Sequence, residues 1–216
     1  MSDQSAAKPP RAKTGGGILK WALWGAALVG VAAVLYIMAK ASTKPTPEVN
    51  TGPKPAAEAA AGSVLEKFSR PQGAGPPPDY VFQDADGKPM KIADLKGKVV
   101  VMNLWATWCA PCKIEMPTLA KLQADYAGQP VEVVAISIDK EPAVAEARAF
   151  IGQHAPLKFY SDPEAKLPWQ VKPAVAGMPT TIVYGKDGFE RGRVAGEADW
   201  GAPDAKAVID RILAEG

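Results

Sequence analysis

Trp105-Ala-Thr-Trp-Cys-Ala-Pro-Cys-Lys113 carries both cysteines of a 216-residue chain, separated by two residues. Immediately before it, Lys98–Leu104 (KVVVMNL) is an apolar, β-branched run that suits a buried central strand. Immediately after it, Ile114, Leu119, Leu122 and Tyr126 recur at helical spacing, so Cys109–Tyr126 reads as a helix. Pro117 falls inside that pattern and is expected to kink it. The cysteine pair thus lies at a strand-to-helix junction, and the flanking chain decides what surrounds it.

Working outward, Val131–Ile138 (VEVVAISI) reads as a second buried strand. Pro142–His154 reads as a helix with proline at its first position and Val144, Ala147 and Ile151 on one face. Leu157–Tyr160 is a short strand candidate, and Pro163–Leu167 a helical turn. Thr180–Tyr184 and Phe189–Val194 flank Gly185-Lys-Asp-Gly188 as a hairpin, and Pro203–Leu213 closes as an amphipathic helix. Upstream, YVFQDADGKPMKI reads as two short strands around Asp86-Gly87. No internal repeat is present. Strands alternating with helices, then a hairpin and a helix, imply an α/β domain with a mixed central sheet.

The chain is 47% hydrophobic and 22% charged, enough to build an ordinary core. Its formal charge of +2 is unevenly spread: residues 1–62 hold seven basic and three acidic residues, and the remainder is net negative. Nothing there forms a basic surface for nucleic acid. From Trp21 to Ala39 no charge interrupts WALWGAALVGVAAVLYIMA, nineteen residues. A helix that long, at about 1.5 Å per residue, matches the ~30 Å hydrocarbon core of a bilayer. Lys8, Arg11, Lys13 and Lys20 precede it, which favours an N-terminus in the cytoplasm and everything after Lys40 outside. A cleaved signal peptide is the alternative, with Ala39-Lys-Ala41 as its small-residue site. From Ala41 to Pro78 the chain is rich in Pro, Ala and Gly, the composition of a tether, within which Ser63–Ser69 (SVLEKFS) reads as a short amphipathic piece of one or two helical turns. The expected organisation is a basic N-terminus over 1–20, a transmembrane anchor over 21–39, a tether over 40–77 and a globular domain over 78–216.

The pair itself has several candidate roles. A structural zinc site needs about four ligands, and two cysteines with a distant His154 do not supply them. A c-type haem attachment needs His after the second cysteine, where Lys113 stands. A structural staple remains the competing reading, although closing so short a loop constrains little of the unfolded chain. The other reading is a dithiol reagent. At a helix N-terminus the Cys109 sulfur meets free backbone N–H groups, which favour the nucleophilic thiolate. Cys112, one turn on, can then attack a mixed disulfide intramolecularly.

Trp-Cys-x-Pro-Cys, followed downstream by Gly177-Met-Pro-Thr180, resembles the thioredoxin superfamily. NLWATWCAPCKIEMPTL, with PPDYVFQDADGKPMKIADLKGKVVV before it and GMPTTIVYGKDG and AGEADW after, is similar to the membrane-anchored TlpA/ResA/CcmG group of extracytoplasmic thiol-disulfide reductases. The likeness runs from about Pro77 to the end. It implies a thioredoxin-like fold, a mixed sheet flanked by helices, carried on an N-terminal transmembrane helix. It implies that Cys109 is the exposed attacking thiol and Cys112 the resolving one. Pro179 matches a cis-proline facing the disulfide, and Met178 would offer its backbone to an extended substrate. Trp108 and Pro111 would join Met178 and Pro179 in holding substrate.

One departure from thioredoxin proper concerns the buried Asp six residues before the first cysteine, where this chain has Asn103. Glu115, one helical turn past Cys112, is the candidate base instead; a partly desolvated carboxylate there has a raised pKa and can shuttle protons. An exposed Glu that merely stabilises its own helix is the alternative. His154, alone at a helix end, reads as a solvated or capping side chain.

The function implied is an inner-membrane, single-pass reductase whose catalytic domain lies in the periplasm. By resemblance its clients would be oxidised cysteines in copper-site assembly of cytochrome oxidase, on the copper-bearing subunit or a Sco-type chaperone. Apocytochrome c reduction is the second reading. A transmembrane electron carrier of the DsbD/CcdA kind would recharge it. No cofactor, no metal and no nucleic acid is expected. A Sco-like copper module would show C-x-x-x-C with a partner His. A thiol peroxidase would want Thr three residues before its cysteine, where Ala106 stands.

Overall fold

All seven residues from Val99 to Trp105 are buried, as a strand covered on both faces requires. The computed structural model describes residues 62–215. In chain order these hold α1 (Val64–Lys67), β1 (Phe82–Gln83), β2 (Pro89–Met90), a 3₁₀ turn (Ile92–Leu95), β3 (Val99–Trp105), α2 (Ala110–Asp125) and β4 (Val131–Ser137). There follow α3 (Val144–Ile151), β5 (Tyr160–Ser161), α4 (Leu167–Gln170), β6 (Thr180–Tyr184), β7 (Glu190–Ala195) and α5 (Pro203–Ala214).

The sheet order is β2-β1-β5-β4-β3-β6-β7. β3 runs parallel to β4, and β4 parallel to β5, while the other neighbours pair antiparallel. The fold is a thioredoxin-like α/β arrangement with a mixed sheet. Alternate residues of β3 feed two cores. Val99, Val101 and Trp105 join Met116, Leu119 and Leu122 of α2, Ile151 of α3 and Ile209 of α5. Val100, Met102 and Leu104 join Phe82, Ile92, Tyr160 and Leu167 on the opposite face. Each such side chain contributes roughly 1.5–3 kcal/mol when fully buried, and a one-residue slip would exchange the two sets. That pins the register, and with it the place where β3 hands over to α2.

Several elements differ in detail from the sequence expectations. Pro142 is not the first residue of a helix: residues 141–143 form a turn with a cis Glu141–Pro142 peptide, and α3 starts at Val144. The strand expected at Leu157–Tyr160 is Tyr160–Ser161, where pairing with β4 and β1 is available. The helical turn expected at Pro163–Leu167 is α4. Ala165 adopts a left-handed φ of 54°, which cannot continue a helix, and the Asp162 carboxylate then receives the Leu167 N–H at 2.7 Å to start one. α2 runs on through Pro117 to Asp125.

The packed body also begins before residue 78. Val64 is fully buried in the first core, and Ser69 exchanges both backbone hydrogen bonds with Arg193 on β7. Phe68 lies over Gly192 so closely that a Cβ there would come within 2.6 Å of its ring. Ser63 caps α1 and donates to Asp204 at 2.6 Å. Val64 and Phe68, four residues apart, make one apolar face, and that face docks a segment whose composition reads as tether. The basic N-terminus expected over 1–20, the anchor expected over 21–39 and the tether up to residue 61 lie outside the described residues. Among those described, no helix is long and apolar enough to cross a membrane.

Candidate active site

β3 ends at Trp105, and the next four residues turn the chain into α2. Asp139, just past the end of β4, is buried and shapes this turn. Its carboxylate accepts the Thr107 N–H at 2.9 Å, the Thr107 hydroxyl at 2.7 Å and the Ser137 hydroxyl at 2.8 Å. A buried carboxylate needs such donors, and here they fix the loop two residues from the first cysteine. The sequence reading passed over Asp139. A charged residue directly after an apolar parallel strand, at the carboxyl edge where α/β proteins place sites, was the available signal.

Cys109 is the N-cap of α2 and forms a disulfide with Cys112, their Cα atoms 5.3 Å apart. The Cys112 N–H points at the Cys109 sulfur across 3.3 Å. A negative charge developing on that sulfur therefore meets a backbone N–H and the positive end of a sixteen-residue helix. Cys112 is fully buried, whereas Cys109 keeps 6% of its surface exposed and opens into a groove of about 510 Å³. The expected "exposed" thiol is thus nearly hidden, but it is the one of the two that a partner sulfur reaches.

Glu115 lies three residues beyond Cys112 on α2 and is fully buried, not the exposed helix-stabilising Glu of the alternative reading. Asn103 on β3 donates from Nδ2 to Glu115 Oε1 at 2.7 Å and to Thr181, its cross-strand neighbour on β6, at 2.9 Å. The Ala198 N–H donates to Glu115 Oε2 at 3.1 Å. Burial pushes the Glu115 carboxyl up to about 8, with the two donors holding it lower than burial alone would. Trp200 adds a weak pull in the same direction, although its indole nitrogen makes no hydrogen bond of proper geometry. Asn103 Oδ1 and the Trp105 indole nitrogen are buried without partners as well.

Trp108 is 70% exposed on the rim of the groove, whereas Trp105 is buried in the core against Phe150. Pro111 sits in the first turn of α2, where its missing N–H costs no hydrogen bond. The Met178–Pro179 peptide is cis, and Met178 lines the groove with Cys109 and Pro111. The structure thus brings Trp108, Cys109, Pro111 and Met178 together around one opening, with Cys112 bonded to Cys109 and buried, and Glu115 buried one helical turn further along α2. His154 stands apart, its Nδ1 2.8 Å from the Phe150 carbonyl at the end of α3. Among the described residues no group of three His, Cys, Asp or Glu side chains is placed to hold a metal ion.

Residues 71–209 match the Redoxin family. The thiol-disulfide oxidoreductase ResA of Bacillus subtilis (strain 168) is 34% identical over 112 residues, covering 51% of this chain and 60% of that protein. ResA of Bacillus thuringiensis (strain Al Hakam) is also 34% identical, over 56% of this chain and 68% of its own length. Among solved structures, a DsbF homologue from Corynebacterium diphtheriae aligns with a TM-score of 0.55 at 27% identity, over 67% of this chain and 90% of that one. A thiol:disulfide interchange protein from Chlorobium tepidum TLS aligns at 0.50 and 27%, over 68% and 98%.

Proposed function

The chain belongs to the redoxin family, as a thioredoxin-fold protein of the TlpA/ResA/CcmG type, and on that premise we propose that it reduces protein disulfides outside the cytoplasm. The observation carrying this reading is the division of labour at the helix start. Cys109 opens to the groove, Cys112 is sealed, and a carboxyl raised to about 8 lies one turn further in. In the reduced protein, the Cys109 thiolate attacks one sulfur of a client disulfide. An S–S bond to Cys109 forms as the client bond breaks, and the first client thiolate leaves. Cys112 then loses its proton to Glu115 and attacks Cys109. The second client thiol departs, and the Cys109–Cys112 disulfide is left behind. Two electrons have passed to the client, and a thiol donor must return them. Burial raises the Glu115 carboxyl toward the range in which thiols titrate, which makes it a better proton acceptor for a thiol than an ordinary carboxylate.

Trp108, Pro111 and Met178, which line the groove, and Pro179 of the adjoining cis peptide would receive the client, with the Met178 backbone offered for strand-like pairing. The 21–39 segment would hold the domain at the inner membrane, on the periplasmic side. An oxidising compartment forms disulfides readily, so a dedicated dithiol there is of most use as a local reductant. By the likeness to the TlpA branch, the clients are cysteines of cytochrome oxidase copper-site assembly, on the copper-bearing subunit or a Sco-type chaperone. Apocytochrome c is the second client class, and a transmembrane carrier of the DsbD/CcdA kind the electron donor.

Cys112→Ser stalls the reaction at the mixed disulfide, so the variant expressed in its native cells should accumulate covalent adducts at Cys109. Mass spectrometry of those adducts identifies the client. Absence of any adduct that reducing agent releases would overturn the reductase reading.

A further inference from the structure

Four tryptophans lie among the described residues, and they divide cleanly. Trp105 and Trp200 are fully buried, while Trp108 and Trp169 are 70% and 66% exposed. Both exposed rings border the groove that contains Cys109. Trp108 belongs to the redox loop itself. Trp169 comes from α4, in the stretch between β5 and β6.

The wall that carries Trp169 is fastened to the domain at several points. At its start, the buried Asp162 accepts the Leu167 N–H at 2.7 Å and the Tyr80 hydroxyl at 2.8 Å, and its own N–H bonds the Ser137 carbonyl at 2.7 Å. In the middle, the Val175 N–H returns to the Pro168 carbonyl at 2.9 Å. At its end, Arg193 donates to the Pro173 carbonyl at 2.8 Å and is itself held by both oxygens of buried Glu190 at 2.7 Å. Leu167 and Val175 are buried beneath the wall. Among the described residues nothing covers the Trp169 ring, and a braced backbone lowers the entropy lost when a partner does.

The groove is about 510 Å³, within the range of about 300–1,000 Å³ typical of ligand sites, and no charged side chain lines it. Its lining is apolar, and includes Ile138, Val175 and Met178 along with the two tryptophans. It offers no cation to the carboxylates of a small anionic disulfide such as oxidised glutathione. A polypeptide presenting an apolar side chain beside its cystine fits it on both counts.

We propose that Trp169, on the groove it shares with Trp108 and Cys109, forms an apolar subsite that selects client polypeptides carrying a large apolar side chain next to the reacting cysteine. The proposal rests on the reductase reading above and assigns its specificity. Aromatic anchors of this kind typically cost about 2 kcal/mol or more when truncated, which is roughly thirtyfold in affinity.

The test uses the full-length reduced protein with two disulfide-linked synthetic peptides. They are identical except for Leu or Ser next to the cysteine. Every rate is normalised to the same enzyme's rate with hydroxyethyl disulfide, which has no side chain for the subsite. The wild-type protein should favour the Leu peptide about tenfold or more in kcat/KM, through KM. Trp169→Ala should bring the Leu-to-Ser ratio near one, and Trp169→Phe should retain most of it. No preference in the wild-type protein, or a ratio unaltered by Trp169→Ala, overturns the subsite alone. Failure of the wild-type protein to reduce any of the three probes overturns the reductase reading, and the subsite with it.

Discussion

Asn103 donates its amide N–H to Glu115 at 2.7 Å between two fully buried side chains, one on the central strand and one on the catalytic helix. This pair ties the buried carboxyl, one turn past Cys112, to the central strand of the sheet. An Asp at position 103 would place two carboxyls within contact, and they could not both ionise. The amide instead stabilises a charged Glu115, which burial opposes, and the balance leaves the carboxyl at about 8.

Replacing Glu115 by Gln keeps the shape and one acceptor oxygen, leaving one of the Asn103 and Ala198 donors facing an NH2, and removes the ionisable carboxyl. Resolution of the mixed disulfide should slow by about tenfold or more, and the thiol titration of Cys112 should shift. Stopped-flow thiol exchange and thiolate absorbance across pH measure both. Unchanged rate and titration would remove Glu115 from the reaction.

The same carboxyl makes stability depend on pH. Its pKa is raised from 4.5 to about 8 on folding, so the native state holds this proton more tightly than the unfolded chain. The stability it contributes is therefore fully present below about 4.5 and is lost as pH rises through about 8. Denaturant unfolding of the oxidised wild-type protein should show a decline over that window, on the order of a few kcal/mol, which Glu115→Gln flattens. Parallel curves for the two proteins would contradict the burial account.

Asp139→Asn turns one acceptor oxygen into a donor facing Thr107 and Ser137. The cost should be about 1–3 kcal/mol, accompanied by faster amide exchange at Thr107. Hydrogen exchange of the oxidised protein checks this directly. Undiminished protection at Thr107 would mean that the loop is held by something other than this carboxylate.

Arg193→Met strands Glu190 as a buried charge and frees the carbonyls of Lys172 and Pro173. A loss of about 3–5 kcal/mol is expected for removing one partner of such a pair. Adding Glu190→Gln should restore part of it, because no unpaired charge then remains. Urea denaturation of single and double variants decides the matter, and equal losses would locate the damage in the freed loop alone.

How much of this was legible in the sequence depended on the range of the interactions. β3, β4, α2, the β6–β7 hairpin and α5 could be read because each repeats its apolar pattern over five or more residues, and periodicity is local. β5 and α4 could not be placed to the residue. β5 is two residues long and exists only because β4 and β1 are there to pair with it. α4 starts where Asp162, a residue outside it, accepts its first N–H. In the segment before residue 78 the short helical piece at Ser63–Ser69 was legible, but its seating by Val64 and Phe68 on β7 and α5 was not, because the surrounding Pro, Ala and Gly read as tether.

By itself the sequence determined the chemistry: a Cys-x-x-Cys pair between an apolar strand and a helix, with Glu115 one turn on. Spacing along a helix suffices for that, because consecutive turns of one element are rigidly related. Only the tertiary structure decided that Glu115 is fully buried, that Asn103 and Ala198 from distant parts of the chain are its donors, and that Asp139 holds the redox loop. It alone decided that Trp169, sixty residues from the first cysteine, borders the same groove. Burial and long-range hydrogen bonds depend on which segments the sheet order brings together, and no local pattern in the sequence records that order.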